Sequence, residues 1–454
     1  MASEGLEVSG AGAITKEDCI AYFHRHIKRR TSALIGLEYE LILIDKATSL
    51  SVPFFGLRSL SRIFKGLLGY GYSPVYDNGL IIGLKRGGVV ISLEPGGQVE
   101  FSSSALRLVS DIAIELDVFL RELGQVCRCL AISLLPIGYR PYGGVASVAT
   151  VPRTRYLHMM PILEKVSGAS VGQKMTASMQ VSVDYFSEQH AGKLLQLGIA
   201  CQPYIVALFA NSPYVSSATS RYKSHRMHAW TLFDQQRSGI PDFMLCAQFS
   251  AGTFERYVDW ALEKPLLFIQ RQGQLIHMNH LSFRDYLRLG AASGAATLQD
   301  WIMHLGTLYP EARLKNIVEF RSADTCAPPF AASLAAFWKG LAYSEDALDA
   351  ALDRLGRQMP SELSRQYAQA AEHGMAGVDA QGNSLAEGIR CLVELAAQGL
   401  SDQGASNIES GYLHTLNELI AAGKSAADLM LNMGVPTGLD ATSQVPYQNI
   451  KYIA

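Results

Sequence analysis

Gly36-Leu37-Glu38-Tyr39-Glu40 and Ser92-Leu93-Glu94-Pro95-Gly96-Gly97-Gln98-Val99-Glu100 place four acids in two short strand-like segments. Successive side chains of a strand alternate between faces, so Glu38 and Glu40 share one face, as do Gln98 and Glu100. Carboxylates side by side on an apolar scaffold repel and are costly to bury. A divalent cation relieves both costs. Oxygen-only ligands suit Mg²⁺ or Mn²⁺, the ions that accompany ATP.

Working outward, Ala33 to Ile44 reads as a strand with Leu37, Tyr39, Leu41 and Leu43 on the face opposite the acids. Upstream, Thr15-Lys16-Glu17-Asp18 has the form of a capping box and predicts a helix to about Arg30. Downstream, Ile81 to Glu100 predicts a strand, a turn at Gly87-Gly88 and a second strand bent by Pro95-Gly96-Gly97. Ser104 to about Leu123 predicts an amphipathic helix, and Cys129 to Ile137 a strand. Lys174 to Tyr185 alternates most cleanly, with Thr176, Ser178, Gln180, Ser182 and Asp184 on its polar face. Gly192 to Phe209 predicts a helix kinked or broken at Pro203. Leu314 to Arg321 predicts a short strand with Glu319 and Arg321 on one face. From about Pro329 the chain is Ala- and Leu-rich and reads as helical almost to its end. Strands and helices do not interleave regularly, so the pattern is α+β rather than doubly wound α/β.

Composition narrows the function classes. The 454 residues are 48% hydrophobic, enough for one large core, and the net charge of −2 carries no basic footprint for nucleic acid. No apolar run approaches the roughly 20 residues of a membrane helix. Residues 1–15 are polar and Gly-rich, predicting a disordered tail rather than a signal peptide. The seven cysteines include no CxxC, which predicts free thiols and a cytoplasmic setting; Cys127 and Cys129 fall in an expected strand, on one side of it.

Gln180 and Glu319 extend the acids to six oxygen donors on four predicted strands, the number needed to hold two or three hard cations with water and phosphate completing their shells. Arg226 either takes a substrate carboxylate beside the flat wall of Trp230 or is a surface arginine near a buried Trp. Arg321 either meets a phosphate or neutralises Glu319. Lys85, beside the Gly87-Gly88 turn, either holds a nucleotide phosphate or belongs to an ordinary basic hairpin. No GxxxxGK[ST], GxGxxG or GxSxG occurs, which argues against Walker, Rossmann and serine-hydrolase sites. His225 with His228, and His277 with His280, lack a third ligand nearby and read as structural or solvated.

These segments resemble the plant and proteobacterial type of glutamate–cysteine ligase, within the glutamine-synthetase-like carboxylate–amine ligases. The resemblance is carried by residues 91–100, by Ala207-Leu208-Phe209-Ala210-Asn211-Ser212-Pro213-Tyr214, and by Arg226 through Trp230 to Asp234 and Arg237-Ser238-Gly239. Tyr257-Val258-Asp259-Trp260-Ala261-Leu262, Pro310-Glu311-Ala312-Arg313-Leu314-Lys315 and Phe337-Trp338-Lys339-Gly340-Leu341 continue it, colinear from about 16 to about 430. It implies a curved antiparallel sheet forming a funnel, helices outside, and a single catalytic domain over 16–454, sheet-rich over 31–328 and helical over 329–454. It implies that ATP, with Mg²⁺ or Mn²⁺, joins the glutamate γ-carboxylate to the cysteine amine through γ-glutamyl phosphate, in a monomer or homodimer. Matched position by position, Glu38, Glu40, Glu94, Glu100, Gln180 and Glu319 fall on metal-site positions. Arg321 falls on the phosphate-facing arginine and Lys85 on a lysine of the nucleotide hairpin. Arg226 and Trp230 fall in the glutamate pocket, and Arg155-Tyr156 in a loop over the site.

The chain departs from the pattern. Relatives read Gly-Thr-Glu-His-Glu-Lys-Phe where this chain has Leu37, Tyr39 and Leu41 around its acids. An Arg of plant relatives is Met175, and a Gly-Ala-Asp-Gly-Gly stretch is Ser322-Ala323-Asp324-Thr325-Cys326. These changes leave room for a related ligase with a different amine acceptor, while the retained acids argue against a non-catalytic binding protein. The cysteines of the plant redox switch have no clear counterparts, so no such switch is expected.

Overall fold

The computed structural model describes residues 12–166, 168–245, 252–290, 292, 294–356, 358–404 and 407–432. Most of the expected tail (1–11), Cys246 and the end of the expected helical part (433–454) lie outside them. Among the described residues one nine-stranded antiparallel sheet dominates: β1 (Ile35–Asp45), β2 (Ser73–Asp77), β3 (Leu80–Arg86), β4 (Val89–Leu93), β5 (Val99–Ser102), β6 (Ile132–Leu135), β7 (Ser178–Val183), β8 (Ala312–Leu314) and β9 (Val318–Asp324). Their order is β8-β9-β7-β1-β5-β4-β3-β2, with β6 paired to the far end of β1.

Alternation explains the layering. Leu37, Tyr39 and Leu41 of β1, Phe101 of β5, Met179 and Val181 of β7 and Phe320 of β9 belong to one core. Helices cover that face, two of them by ring stacking. The Val109–Cys129 helix places Val109, Ile112, Leu116, Phe119, Leu123 and Cys127 inward at helical spacing and stacks Phe119 on Phe101, with centroids 5.3 Å apart. The Pro328–Tyr343 helix stacks Trp338 on Phe320 at 3.7 Å. The opposite, polar face of the sheet is concave: residues from its β2–β3 edge (Val75, Gly83) and from its β8–β9 edge (Arg313, Arg321) line a single cavity. The fold is thus the expected α+β funnel.

Several local expectations are corrected. The first helix keeps its Thr15–Asp18 capping box but ends at Arg25 (Lys16–Arg25), and Lys28 N–H turns away to Tyr185 O at 2.9 Å. Pro95-Gly96-Gly97 reverses the chain rather than bending a strand. Gly97 N–H donates to Glu94 O (2.9 Å), φ at Gly97 is +81°, and β4 and β5 pair antiparallel. A Cβ at Gly96 would lie 2.2 Å from Lys174 O, so only glycine fits there. Cys127 and Cys129 lie at the end of the Val109–Cys129 helix, Cys127 buried and Cys129 exposed, because the helical apolar repeat outruns its expected end. Lys174 and Met175 close a short helix (Ala169–Met175) before β7. Leu314 and Glu319 belong to different strands, joined by a turn in which Lys315 N–H donates to Ile317 O (2.8 Å). Pro203 sits in the first turn of a second helix, Gln202–Leu208, bent 50° from Glu188–Ala200.

Candidate active site

Strand pairing delivers the acids. Glu40, Glu100, Ser92 and Gly83 occupy one row across β1, β5, β4 and β3. The next row runs Gln180, Glu38, Ser102, Val90, Lys85. Glu319 stands opposite Ser182, which stands opposite Gly36. Paired residues of a ladder share a face, so all these side chains leave the concave side of the sheet. A register break between Phe320 and Ala323 of β9 falls on Arg321 and Ser322, the kind of irregularity that re-aims a side chain beside a site.

The cavity on this face holds about 550 Å³, the size of a small-ligand site. Ten of the twelve expected site residues line it: Glu38, Glu40, Glu94, Glu100, Gln180, Arg155, Tyr156, Arg226, Trp230 and Arg321. Glu319 and Lys85 do not. Glu319 is fully buried beneath it, with Arg313 Nη2 (2.6 Å), Lys315 Nζ (2.7 Å) and Arg321 Nη1 around its carboxylate. Burial alone would raise Glu319, but Arg313, Lys315 and Arg321 hold it well below the usual carboxylate range. Lys85 shares the row of Glu38 three strands away, at the rim.

The acids are under strain from one another. Glu40 accepts from Ser178 N–H (2.8 Å), Ser178 Oγ (3.1 Å) and Gln180 Nε2 (3.2 Å); Glu100 accepts from Ser92 Oγ (3.0 Å) and Ser102 Oγ (3.3 Å). Burial, then the Glu100 charge, pushes Glu40 up to about 7. Burial, then Glu40, pushes Glu94 up to about 7, and burial, then Glu38 and Glu94, pushes Glu100 up to about 8. Such a set is competent for hard cations at neutral pH, where metal and protons compete for the same oxygens. Among the described residues no three His, Cys, Asp or Glu side chains converge as a closed metal site. A hard divalent cation can be held by few carboxylates, with water and phosphate completing its shell. The oxygen donors fit the group.

The basic wall is organised too. Arg226, in the His225–Thr231 helix, donates from Nη2 to Arg321 O (2.9 Å) and from Nη1 to Ser322 O (3.3 Å), while its buried Nε–H has no protein partner. An unfilled donor on a buried guanidinium that lines the cavity is suited to a ligand carboxylate. Trp230 donates from Nε1 to Thr176 Oγ1 (3.3 Å) and stacks on Phe233, centroids 4.4 Å apart. Arg155 donates to Gly306 O (3.0 Å), and Tyr156 OH donates to Leu93 O (2.8 Å) with Glu94 Oε1 at 3.3 Å, so it anchors the strand end that carries Glu94. Arg321 contacts Glu319, the neutralising reading, and also lines the cavity.

The sequence reading assigned no role to Lys315, Arg153 or the Phe268–Arg271 and Gln274–His277 hairpin, all of which contribute to the cavity wall. The signals were present: Arg313 and Lys315 precede Glu319 in a strand–turn–strand, and Gln272-Gly273 is a hairpin turn. The departures at Leu37, Tyr39 and Leu41 all sit on the core face of β1, away from the cavity; Met175 and Cys326 are buried and do not line it either.

The model of Glutamate-cysteine ligase family 2 (GCS2) matches residues 34–446. The chloroplastic glutamate–cysteine ligase A of Oryza sativa subsp. indica is 32% identical over 427 residues, covering 92% of this chain and 85% of the relative. The chloroplastic glutamate–cysteine ligases of Nicotiana tabacum (31% over 431 residues; 94% and 81%) and Arabidopsis thaliana (31% over 427 residues; 92% and 80%) are similar at the same level. Among solved structures, a glutamate–cysteine ligase from Francisella tularensis in complex with AMP superimposes with a TM-score of 0.57 at 11% identity, over 93% of this chain and 89% of the other. A bifunctional glutathione synthetase from Pasteurella multocida gives 0.55 at 12%, over 95% and 53%. At these identities the structural likeness speaks for the fold; the sequence match over nearly the whole chain, joined to the acid-and-arginine cavity, shows that the chain belongs to glutamate–cysteine ligase family 2.

Proposed function

We propose that the chain joins the glutamate γ-carboxylate to the cysteine amine at the expense of ATP, by way of γ-glutamyl phosphate, the first step of glutathione synthesis. The observation that carries this reading is the opposition, in one cavity, of four carboxylates (Glu38 and Glu40 buried, Glu94 and Glu100 half-buried) and the arginines Arg226 and Arg321. Mg²⁺ or Mn²⁺, held by those carboxylates with Gln180, would supply charge neutralisation for the triphosphate. Arg226 holds the glutamate carboxylate on its free Nε–H edge, and Trp230 walls the pocket beside it. Arg321 faces the transferred phosphoryl group from β9, its own position fixed by Glu319 and Gln180. Glu319 serves mainly as the counter-ion that keeps Arg313, Lys315 and Arg321 together. Arg155 and Tyr156 close the wall above Glu94, and Lys85 reaches the nucleotide from the rim. Catalysis is then mostly positioning and preorganised charge.

The core-facing location of Leu37, Tyr39 and Leu41 supports cysteine as acceptor over another amine, since those changes leave the cavity wall untouched. Phosphate release should require ATP, Mg²⁺, glutamate and cysteine together, with γ-glutamylcysteine seen by mass spectrometry. Release with glutamate and a different amine in preference to cysteine would reassign the acceptor. Silence with every pair would overturn the reading.

A further inference from the structure

Asp324, the last residue of β9, is fully buried and does not line the cavity, yet the segment that carries Arg226 is tied to its carboxylate. Oδ2 accepts from Asn211 N–H (3.0 Å) and Ser212 Oγ (2.6 Å). Oδ1 accepts from Ser224 Oγ (2.8 Å) and faces Arg226 Nη1 at 3.7 Å. The two serines pass the constraint on. Ser212 Oγ accepts Arg226 N–H (3.1 Å), and Ser224 Oγ, the cap of the Arg226 helix, accepts Met227 N–H (3.3 Å). A carboxylate only accepts, so each hydroxyl must give its single proton to Asp324 and keep its lone pairs for the helix. Asp324 therefore sets the direction of the two serine hydrogen bonds that seat the start of this helix. The same strand supplies the carbonyls of Arg321 and Ser322 to the guanidinium. The seat is tight as well: a Cβ at Gly138 would fall 2.4 Å from Asp324 Cγ.

We propose that Asp324 is the positioning residue for Arg226, and that it fixes the span between Arg226 and Arg321 which the substrate must bridge. This rests on the reading of Arg226 as the glutamate anchor. Asp324→Asn keeps the shape but turns one acceptor into a donor: a serine facing the new amide N–H must accept from it and leave its own proton without that partner, and on the Oδ2 side the Asn211 N–H loses its acceptor as well.

The test is initial-rate kinetics with Asp324→Asn, Arg226→Ala and the double variant, varying glutamate and ATP separately. Asp324→Asn is expected to raise the glutamate KM about 10- to 100-fold, the consequence of losing one or two buried hydrogen bonds, with the ATP KM within about twofold. In the Arg226→Ala background it is expected to add nothing, because it acts through Arg226. Should Asp324→Asn fail to fold, Ser212→Ala and Ser224→Ala each remove one limb and are expected to move the glutamate KM in the same direction. An unchanged glutamate KM, equal rises for glutamate and ATP, or a full additional factor in the double variant would overturn the proposal. If Arg226→Ala itself leaves the glutamate dependence intact, it is the anchor reading that fails.

Discussion

In the metal-free protein the cavity acids make folding compete with proton loss. In the fold, Glu40 and Glu94 are raised to about 7 and Glu100 to about 8, against 4.5 for an unperturbed glutamate. Folded groups with raised values hold protons that the unfolded chain has already released. The stability they contribute is therefore complete below about 4.5 and is lost as pH rises through 7 and 8. Carrying one carboxyl from 4.5 to about 8 corresponds to on the order of 5 kcal/mol, and because the acids share their repulsion the set is worth about that much rather than three times it. For a chain of this size 1 kcal/mol moves the melting temperature by about 1 °C. The window from pH 5.5 to 8.5 takes in about 2.5 of the roughly 3.5 pH units between 4.5 and 8, so thermal melts in chelator should fall by about 3–4 °C across it, beyond any drift of a control lacking the cluster. Glu100→Gln, isosteric and uncharged, should flatten that slope and melt above the parent at pH 8, while losing activity. Added Mg²⁺ should stabilise the parent more at pH 8 than at pH 6, since it takes the place of the protons. A parent curve that is flat or rising over this range, or a Glu100→Gln curve with the parent's slope, would refute the reasoning.

Glu319→Gln leaves buried Arg313 and half-buried Lys315 and Arg321 without their shared counter-ion and should cost about 3 kcal/mol, read from denaturant unfolding; a loss under 1 kcal/mol would mean that water from the cavity screens the three cations. Gly96→Ala drives a methyl into Lys174 O and should destabilise by about 2 kcal/mol or more and lower metal-dependent activity, measured by melting and turnover. Lys85→Ala should raise the ATP KM with kcat changed less than about threefold, because Lys85 lies outside the cavity wall; a hundredfold loss of kcat would put its ammonium on the transferred phosphate instead.

The parts of this molecule that were legible in the sequence are those set by local periodicity. The alternation around Glu38 and Glu40 and along Ser178–Val183 placed the acids on one face, and the Thr15–Asp18 capping box placed a helix start. What escaped depends on longer-range geometry. Whether Pro95-Gly96-Gly97 bends or reverses a strand is decided by pairing between β4 and β5. The extension of the Val109–Cys129 helix through its cysteines is decided by packing under the sheet. The pairing of β7 with β1 and β9, which sets Glu319 on the face that carries Glu38 and Glu40, joins segments far apart in the chain and is not written in the periodicity of any one of them. The role of Asp324 needed the spatial meeting of residues 138, 211, 212, 224 and 226.

The cavity also has an order of manufacture. Its acids come from residues 38–100, and the cations that face them from residues 153–321. A growing chain displays the repelling carboxylates long before Arg226, Arg313, Lys315 and Arg321 have been made. β1, the middle of the finished sheet, waits for β7 before one of its edges is covered, and the Pro328–Tyr343 helix that seals its apolar face comes later still. Early segments of this protein are therefore exposed-edge intermediates during synthesis, slow to settle because their partners are distant in the chain. A metal ion or nucleotide bound there would meet a completed site only at the end, so any such ligand would also favour the correctly folded molecules.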